Sequence, residues 1–232
     1  MREICLVGGD ARMEFAAQAL GERGYKVSRI APSDMQAHAA RGCLLVGGGL
    51  PQGNGYADYL KDEAFLYENA RITAEGALML LGKSTPGTVY GMDVGVIGMG
   101  RIAECLCPLL RALGARVTVY ARRPEALSRA RTAGVEAVRF SGVLPRQVVA
   151  HDAICNTVPH VLFDRALLSD MPRDCLLLEL ASAPGGFDAN ALRELGLTLI
   201  PGQGLPGKYA PRAAGELIAA YAQRMHEGEG EI

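Results

Sequence analysis

Glycines at 98 and 100, followed by alanine at 103, form the pattern Gly-x-Gly-x-x-Ala within the stretch DVGVIGMGRIAECLCPLLRALGARVTVYARRP, Asp93 to Pro124. Between an apolar strand and an amphipathic helix, this pattern is suited to a dinucleotide. Gly98 turns the chain sharply off the strand, Gly100 lets backbone approach a pyrophosphate, and Ala103 is small enough for helix and sheet to pack closely. The pyrophosphate is expected on the first amides of the helix, at Arg101 and Ile102, where the helix dipole is positive. The alternative is a tight strand–helix turn with no ligand. A second strand closing the unit favours the ligand.

That second strand, Arg116 to Tyr120, indicates which dinucleotide. NAD sites usually carry Asp or Glu at its end to bond the ribose hydroxyls. Here the chain runs on through Ala121, Arg122, Arg123 and Pro124, with no carboxylate before Glu125. An arginine fork matches a phosphate dianion that an aspartate would repel, so NADP is the expected cofactor. The other reading is a pair of solvated arginines following a strand.

Further loops are expected at the carboxyl ends of the strands, where open parallel sheets bind ligands. CNTVPH supplies Asn156, Thr157, Val158 and Pro159 as cofactor contacts, with His160 either a plain loop residue or a proton acceptor. ELASAPGGFD supplies Ser182, Gly185 and Gly186 for a substrate carboxylate or the nicotinamide amide. PGQGLPGKYAP supplies Lys208 as an anion ligand and Tyr209 as a proton acceptor. Arg12, just after Gly8-Gly9-Asp10, is either a second anion ligand or an ordinary first-turn arginine. Glu75 is either a favourable acid in a first helical turn or one more proton acceptor. Proton acceptance thus stays open among Glu75, His160, Tyr209 and bulk water.

The elements that must position these residues alternate strand and helix, the signature of a doubly wound parallel sheet flanked by helices. Strands are expected at Ile4 to Val7, Lys26 to Ile30, Cys43 to Gly48 and AFLYENA, Ala64 to Ala70. After Thr85-Pro86-Gly87 they follow at Asp93 to Ile97, Arg116 to Tyr120, Ala137 to Phe140, Ala153 to Asn156, Cys175 to Glu179 and Thr198 to Ile200. Helices are expected at Ala11 to Arg23, from an N-cap at Thr73, at Arg101 to Leu113, at Pro124 to Ala133, briefly after Pro159, at Ala189 to Leu195 and at Ala213 to Met225. The α/β chain then divides into a smaller N-terminal substrate or lid domain, residues 1–83, and a Rossmann-type NADP-binding domain, residues 84–212. The C-terminal helix, 213–227, is expected to pack back on the first domain, and the charged tail HEGEGEI to fray.

Bulk properties set the limits. With 49% apolar and 21% charged residues, the composition is that of a globular enzyme. A formal net charge of −1 offers no field for nucleic acid or an anionic membrane. MREICLVGGD reaches glycine and aspartate too soon for a signal-peptide core, so the cytoplasm is expected. The six cysteines lie in apolar runs or, at 105 and 107, two apart on a helix. They read as small hydrophobes in a reducing compartment, and no metal is expected.

The blocks GGDAR, TAEGALMLL, VIGMGRIA, ARRP, CNTVP, LELASAPGGFD and GLPGKYAPRAAGELI, in this order, resemble the dipicolinate synthase A family. The resemblance runs from residue 4 to about residue 225 and is most particular in the LASAPGG and GLPGKYAP blocks. It implies a two-domain fold like that of formate and glycerate dehydrogenases. It also implies NADP-linked oxidation of dihydrodipicolinate to dipicolinate during spore formation, with a flavoprotein-like second subunit and self-association as partners. One departure stands out: the first 83 residues are shorter than that family implies, between the second strand and AFLYENA. Two alternatives remain, another NADP-dependent 2-hydroxy or 2-oxo acid dehydrogenase and a non-catalytic NADP-binding protein.

Overall fold

The computed structural model describes residues 3–228 as two compact units. One comprises residues 3–72 with 205–228, the other residues 73–204. The division therefore falls at Ile72/Thr73 and Gly204/Leu205, and the LPGKY segment belongs with the N-terminal unit.

In the first unit, β1 (Ile4–Val7), β2 (Val27–Ile30), β3 (Leu44–Gly47) and β4 (Tyr56–Asp58) form a parallel sheet in the order β2-β1-β3-β4. Strand alternation sends Ile4 and Leu6 to one face and Cys5 and Val7 to the other. The first face is thickly covered by α1 (Ala11–Glu22) and by α9 (Pro211–Glu227), which adds Ile218, Ala219, Tyr221 and Ala222 to the core. Gly215 allows this approach, since a Cβ there would stand 2.6 Å from Phe15 Cβ and 2.7 Å from the Arg12 carbonyl. The second face has a small core of Cys5, Val7, Ile30, Cys43, Leu45 and Leu50, against which Met35 and Ala39 of α2 (Met35–Ala40) pack.

The second unit has β5 (Asp93–Ile97), β6 (Arg116–Ala121), β7 (Glu136–Arg139), β8 (Ala153–Asn156), β9 (Leu176–Glu179) and β10 (Leu199–Pro201), all parallel, ordered β10-β9-β8-β5-β6-β7. Renumbered from β5, this is the 3-2-1-4-5-6 order of dinucleotide-binding sheets. The central β8 is buried throughout, and β5 nearly so, which explains their unbroken apolar character. Between the strands lie α4 (Arg101–Ala112), α5 (Pro124–Thr132), α6 (Arg165–Ser169) and α7 (Ala189–Leu195). Ala103, Leu106, Cys107 and Leu110 form the buried stripe of α4, at helical spacing.

Some expectations change. Ala64 to Ala70 is not a strand but part of α3 (Glu63–Ser84). That helix is capped by Asp62, whose Oδ1 accepts from Phe65 N at 2.6 Å, so Thr73 is a buried mid-helix residue rather than a cap. A short apolar run does not by itself distinguish strand from helix, and the cap signal lay upstream. The helix expected directly after Pro159 begins only at Arg165, where Asp164 Oδ1 accepts from Leu167 N. The short α2, β4 and α8 (Leu205–Tyr209) were hidden in loop-like sequence. α9 continues through Glu227, and the rest of the charged tail, residues 229–232, lies outside the described residues.

Candidate dinucleotide site

The sheet of the second unit reverses its winding between β5 and β8, the switch point at which such sheets bind ligands. A cleft of about 710 Å³ opens there. Its floor is Gly98, Met99 and Gly100, one wall is Thr157, Val158 and Pro159, and the other is the end of β6, Tyr120 and Ala121, with Arg122 and Arg123 just beyond it, Ala126 and Phe140.

The glycines are required for different reasons. Gly98 has φ +90°, and a Cβ there would lie 2.8 Å from Thr157 Oγ1 and from Val158 Cγ2. Its amide donates to the Tyr120 carbonyl at 2.8 Å, fixing the turn to β6. Gly100 is the N-cap of α4 in extended conformation, and no side chain caps the helix. Nothing stands within 4 Å of where its Cβ would be, so this helix start faces open space. The first amides of a helix have no intrahelical partner, and an anion is their natural acceptor. Arg129 steadies the loop from α5: its Nη2 donates to the Met99 carbonyl at 2.9 Å, while its Nε pairs with Glu104 Oε1 at 2.6 Å. Arg101 and Ile102 are half-buried in the first turn, outside the lining.

Arg122 and Arg123 are exposed at the mouth, with no ion-pair partner among the described residues. The buried Ala121 ends the strand, and no carboxylate occupies its tip. The residues fit a dinucleotide: uncapped amides for the pyrophosphate, an aromatic and aliphatic wall at Phe140 and Ala126 for a flat base, and two guanidinium groups for a phosphate.

Asn156, expected to touch the cofactor, is fully buried beneath the cleft. Its Nδ2 donates to Glu179 Oε1 at 2.7 Å and to the Val158 carbonyl at 2.9 Å, and its Oδ1 accepts from Val158 N at 3.2 Å. Glu179 also accepts from Ala181 N at 3.0 Å and, through Oε2, from Gly186 N at 2.6 Å. Burial pushes this carboxyl up, while the bonds from Gly186, Asn156 and Ala181 draw it down. Glu179 therefore ties the β8 loop to the β9 loop. Sequence reasoning missed it because an acid ending an apolar strand looks exposed; its only signal was the run of acceptor-hungry glycines that follows.

The same bonds correct two expectations. The amides of Gly185 and Gly186 are engaged, with the Ser182 carbonyl at 3.0 Å and with Glu179, and do not present donors to a substrate. These positions are glycine for space: a Cβ at 186 would meet Asn156 Nδ2 at 2.3 Å, and one at 185 would meet Glu179 Oε2 at 2.7 Å. Ser182 is exposed in the same turn. His160 is exposed next to Pro159 and outside the lining, with its amide on the Val158 carbonyl at 2.9 Å. Glu75 sits on the exposed side of α3, well inside the helix rather than in its first turn.

Arg12, Lys208 and Tyr209 belong to the first unit. Arg12 Nε and Nη2 bond Asp10 Oδ1 and Oδ2 at 3.0 and 2.8 Å, so two of its donors are engaged. The middle of α8 lies on this arginine, with Gly207 facing its aliphatic stem. Lys208 is exposed and Tyr209 half-buried on that helix. Lys208, expected in the cofactor-binding domain, falls instead in the first unit.

Residues 68–194 match the D-isomer specific 2-hydroxyacid dehydrogenase, NAD binding domain. The chain is 35% identical over 166 residues to dipicolinate synthase A of Bacillus subtilis (strain 168), across 71% of this chain and 55% of that protein. The match thus spans little more than half of the relative's length. The crystal structure of dipicolinate synthase A from Bacillus subtilis superimposes with a TM-score of 0.81 at 24% identity, covering 100% of this chain and 98% of that one. The apo-structure of D-lactate dehydrogenase from Escherichia coli does so with 0.71 at 14% identity, covering 99% and 98%. At these identities the solved structures speak for the fold. The uncapped glycine loop, the strand order and the matched domain agree: the chain belongs to the D-isomer specific 2-hydroxyacid dehydrogenase family.

Proposed function

We propose that the chain is an NADP-linked oxidoreductase, similar to dipicolinate synthase A, that oxidises dihydrodipicolinate to dipicolinate. The observation that carries the coenzyme is the pair Arg122 and Arg123 at the mouth of the cleft, on a strand tip with no carboxylate. An adenosine 2′-phosphate there gains two charge-assisted partners, whereas NAD offers them nothing to bind. Replacing both by alanine should weaken NADPH on the order of 100-fold and leave NADH nearly unchanged, by the usual strength of hydrogen bonds to charged groups. Equal weakening of the two coenzymes in a titration would refute the 2′-phosphate role.

The name of the 35%-identical relative supports the reaction. Oxidation removes one hydride and one proton from the dihydropyridine ring, and the aromatic product favours that direction. When bound, the nicotinamide supplies the hydride acceptor. The chain's own part is to hold and orient. The amides at Gly100 to Ile102 hold the pyrophosphate, Thr157 to Pro159 form the wall beside it, and Glu179 with Asn156 keeps that wall in place from beneath. Arg12 and Lys208, both on the first unit, are assigned to the substrate carboxylates. Bulk water or one of Glu75, His160 and Tyr209, none of which lines the cleft, takes the proton.

NADPH absorbance, followed with NADP+ and freshly made dihydrodipicolinate, tests the reaction. The assay needs arms with and without a flavoprotein-like second subunit and a check of self-association, both partners being part of the proposal. Absence of turnover in every arm, in protein that still binds NADPH, rejects the reaction. The matched family favours a second reading, an NADP-linked 2-hydroxy or 2-oxo acid dehydrogenase, and a panel of such acids separates the two. Among the described residues no helix is long and apolar enough to cross a membrane. A cytoplasmic location is part of the same proposal.

A further inference from the structure

The thinly covered face of the first sheet holds a side-chain cluster that none of the preceding chemistry uses. Cys5 Sγ, His38 Nδ1 and a Cys43 ligand atom all lie within 4.8 Å of one another. Cys5 Sγ and His38 Nδ1 are 3.4 Å apart. In a tetrahedral zinc site, bonds of about 2.3 Å to sulfur and about 2.05 Å to nitrogen place those two atoms about 3.6 Å apart. The observed separation is already that of two ligands on one ion.

The backbone brings the three together by two independent devices. His38 lies in the last turn of α2, and the Gly42 amide donates to the Ala39 carbonyl at 2.9 Å and the Cys43 amide to the His38 carbonyl at 3.2 Å. Gly42, at φ +76°, turns the chain so that Cys43 leads into β3 beneath the imidazole. The result is a short His-x-x-x-x-Cys chelate loop. Cys5 comes from β1, whose register sets Ile4 beside Leu44 and Cys5 beside Leu45. Cys5 and Cys43 are thus diagonal neighbours on one face, both buried. Strands about 4.8 Å apart, with a two-residue offset of about 6.6 Å, put their Cα atoms about 8 Å apart, beyond the reach of a disulfide. A metal ion spans a wider gap, because its two sulfurs need not touch. Glu3, salt-bridged to Lys26 at 2.9 Å, adds a carboxylate close enough to act electrostatically on Cys5 and His38.

We propose that Cys5, His38 and Cys43 form a binding site for a thiophilic divalent cation, Zn2+, with the fourth position open to water on the half-exposed side of His38. The ligand set of two thiolates and one imidazole selects a soft or borderline ion over Mg2+ or Ca2+. Binding releases one proton from each thiol, and the neutral imidazole binds through Nδ1. The site lies at the amino-terminal half of β1 and β3, away from the loops that follow those strands, and it pins α2 to a sheet face that few apolar side chains cover. Its role is to staple the first unit, as metals do where a core is small.

The test uses the full chain, reduced and freed of metal, titrated with Co2+ and then Zn2+. Co2+ should bind once per chain and produce thiolate-to-cobalt charge-transfer absorption that Zn2+ abolishes, and Zn2+ should raise the thermal midpoint by several degrees. His38→Gln, on a half-exposed position of a short helix, keeps all six cysteines and should weaken Co2+ at least tenfold with NADPH binding unchanged. Cys43→Ser should remove the charge-transfer band. No band in the reduced protein, or a band of equal affinity in His38→Gln, would overturn the assignment, since the cation would then be either not held by thiolates or held without the imidazole.

Discussion

Two strand–glycine–helix openings sit at comparable places in the two units, yet only one is built for a ligand. In the first, Val7 runs into Gly8-Gly9-Asp10, and Asp10 Oδ1 accepts from Arg12 N at 2.9 Å while the carboxylate pairs with the Arg12 guanidinium. The helix start is filled by the chain's own anion. In the second, Ile97 runs into Gly98-Met99-Gly100 and no side chain caps α4; the buried carboxylate of this unit, Glu179, lies under the neighbouring loops instead. Asp10 serves its own helix start, whereas Glu179 collects the Ala181 and Gly186 amides of the loop after β9. The difference is whether the carboxylate stands where a phosphate would lie or beneath it.

The sharpest way to break the comparison is Gly100→Asp, which copies the first opening onto the second. The position is extended and open, so the substitution fits the fold. A fixed negative charge beside a pyrophosphate should lower NADPH affinity about 100-fold or more, while the new cap leaves thermal stability unchanged or raises it by about 1 kcal/mol. Undiminished coenzyme binding, measured by fluorescence titration, would show that the empty cap is not the anion site.

Glu179→Gln probes the support from beneath. Glutamine cannot accept from Gly186, Ala181 and Asn156 together, so one buried amide loses its acceptor at a cost of about 1–3 kcal/mol. Denaturant unfolding should show that loss, and NADPH should bind more weakly as the Thr157–Pro159 wall loosens. A variant as stable as the parent would mean the carboxylate is not the tie between the loops.

The smallest effect is expected at Asp10→Ala, which removes a cap worth about 1 kcal/mol and should leave NADPH affinity untouched. The Arg12 guanidinium holds the Asp10 carboxyl below its ordinary range. Its folded-state pKa is lowered, so its contribution is complete above the unfolded value, about 4, and fades as pH falls through the lowered one. Thermal melts on going from neutral to strongly acid pH should therefore lose less in Asp10→Ala than in the parent chain. An identical acid response in both would exclude a role for that carboxylate in stability.

Much of the second unit was legible because its signals are local. Gly98, Gly100 and Ala103 declare a turn, a close approach and a tight packing within six residues, and the arginines after β6 occupy a position the motif itself defines. The strands at 93–97 and 153–156 stand out as short apolar runs between turn signals. Loop residues were harder. Ser182, Gly185 and Gly186 look like ligand donors in sequence, but whether an amide is available depends on what lies under it, and here that is Glu179, seven residues before Gly186 in the chain. The AFLYENA segment misled for a related reason: its apolar spacing is compatible with either period until Asp62 is seen to cap it.

The sequence by itself determined the parallel α/β class, the dinucleotide loop and the basic strand tip, since each is written in neighbouring residues whose backbone and charge requirements are intrinsic. The tertiary structure alone decided three things. It joined residues 205–228 to the N-terminal unit, setting Gly207 against the stem of Arg12. It buried Asn156 on Glu179 under the cleft rather than in it. It also gathered Cys5, His38 and Cys43, which are scattered in the chain, onto one sheet face. Strand order and register bring distant residues together, and no local pattern encodes which strand will lie beside which.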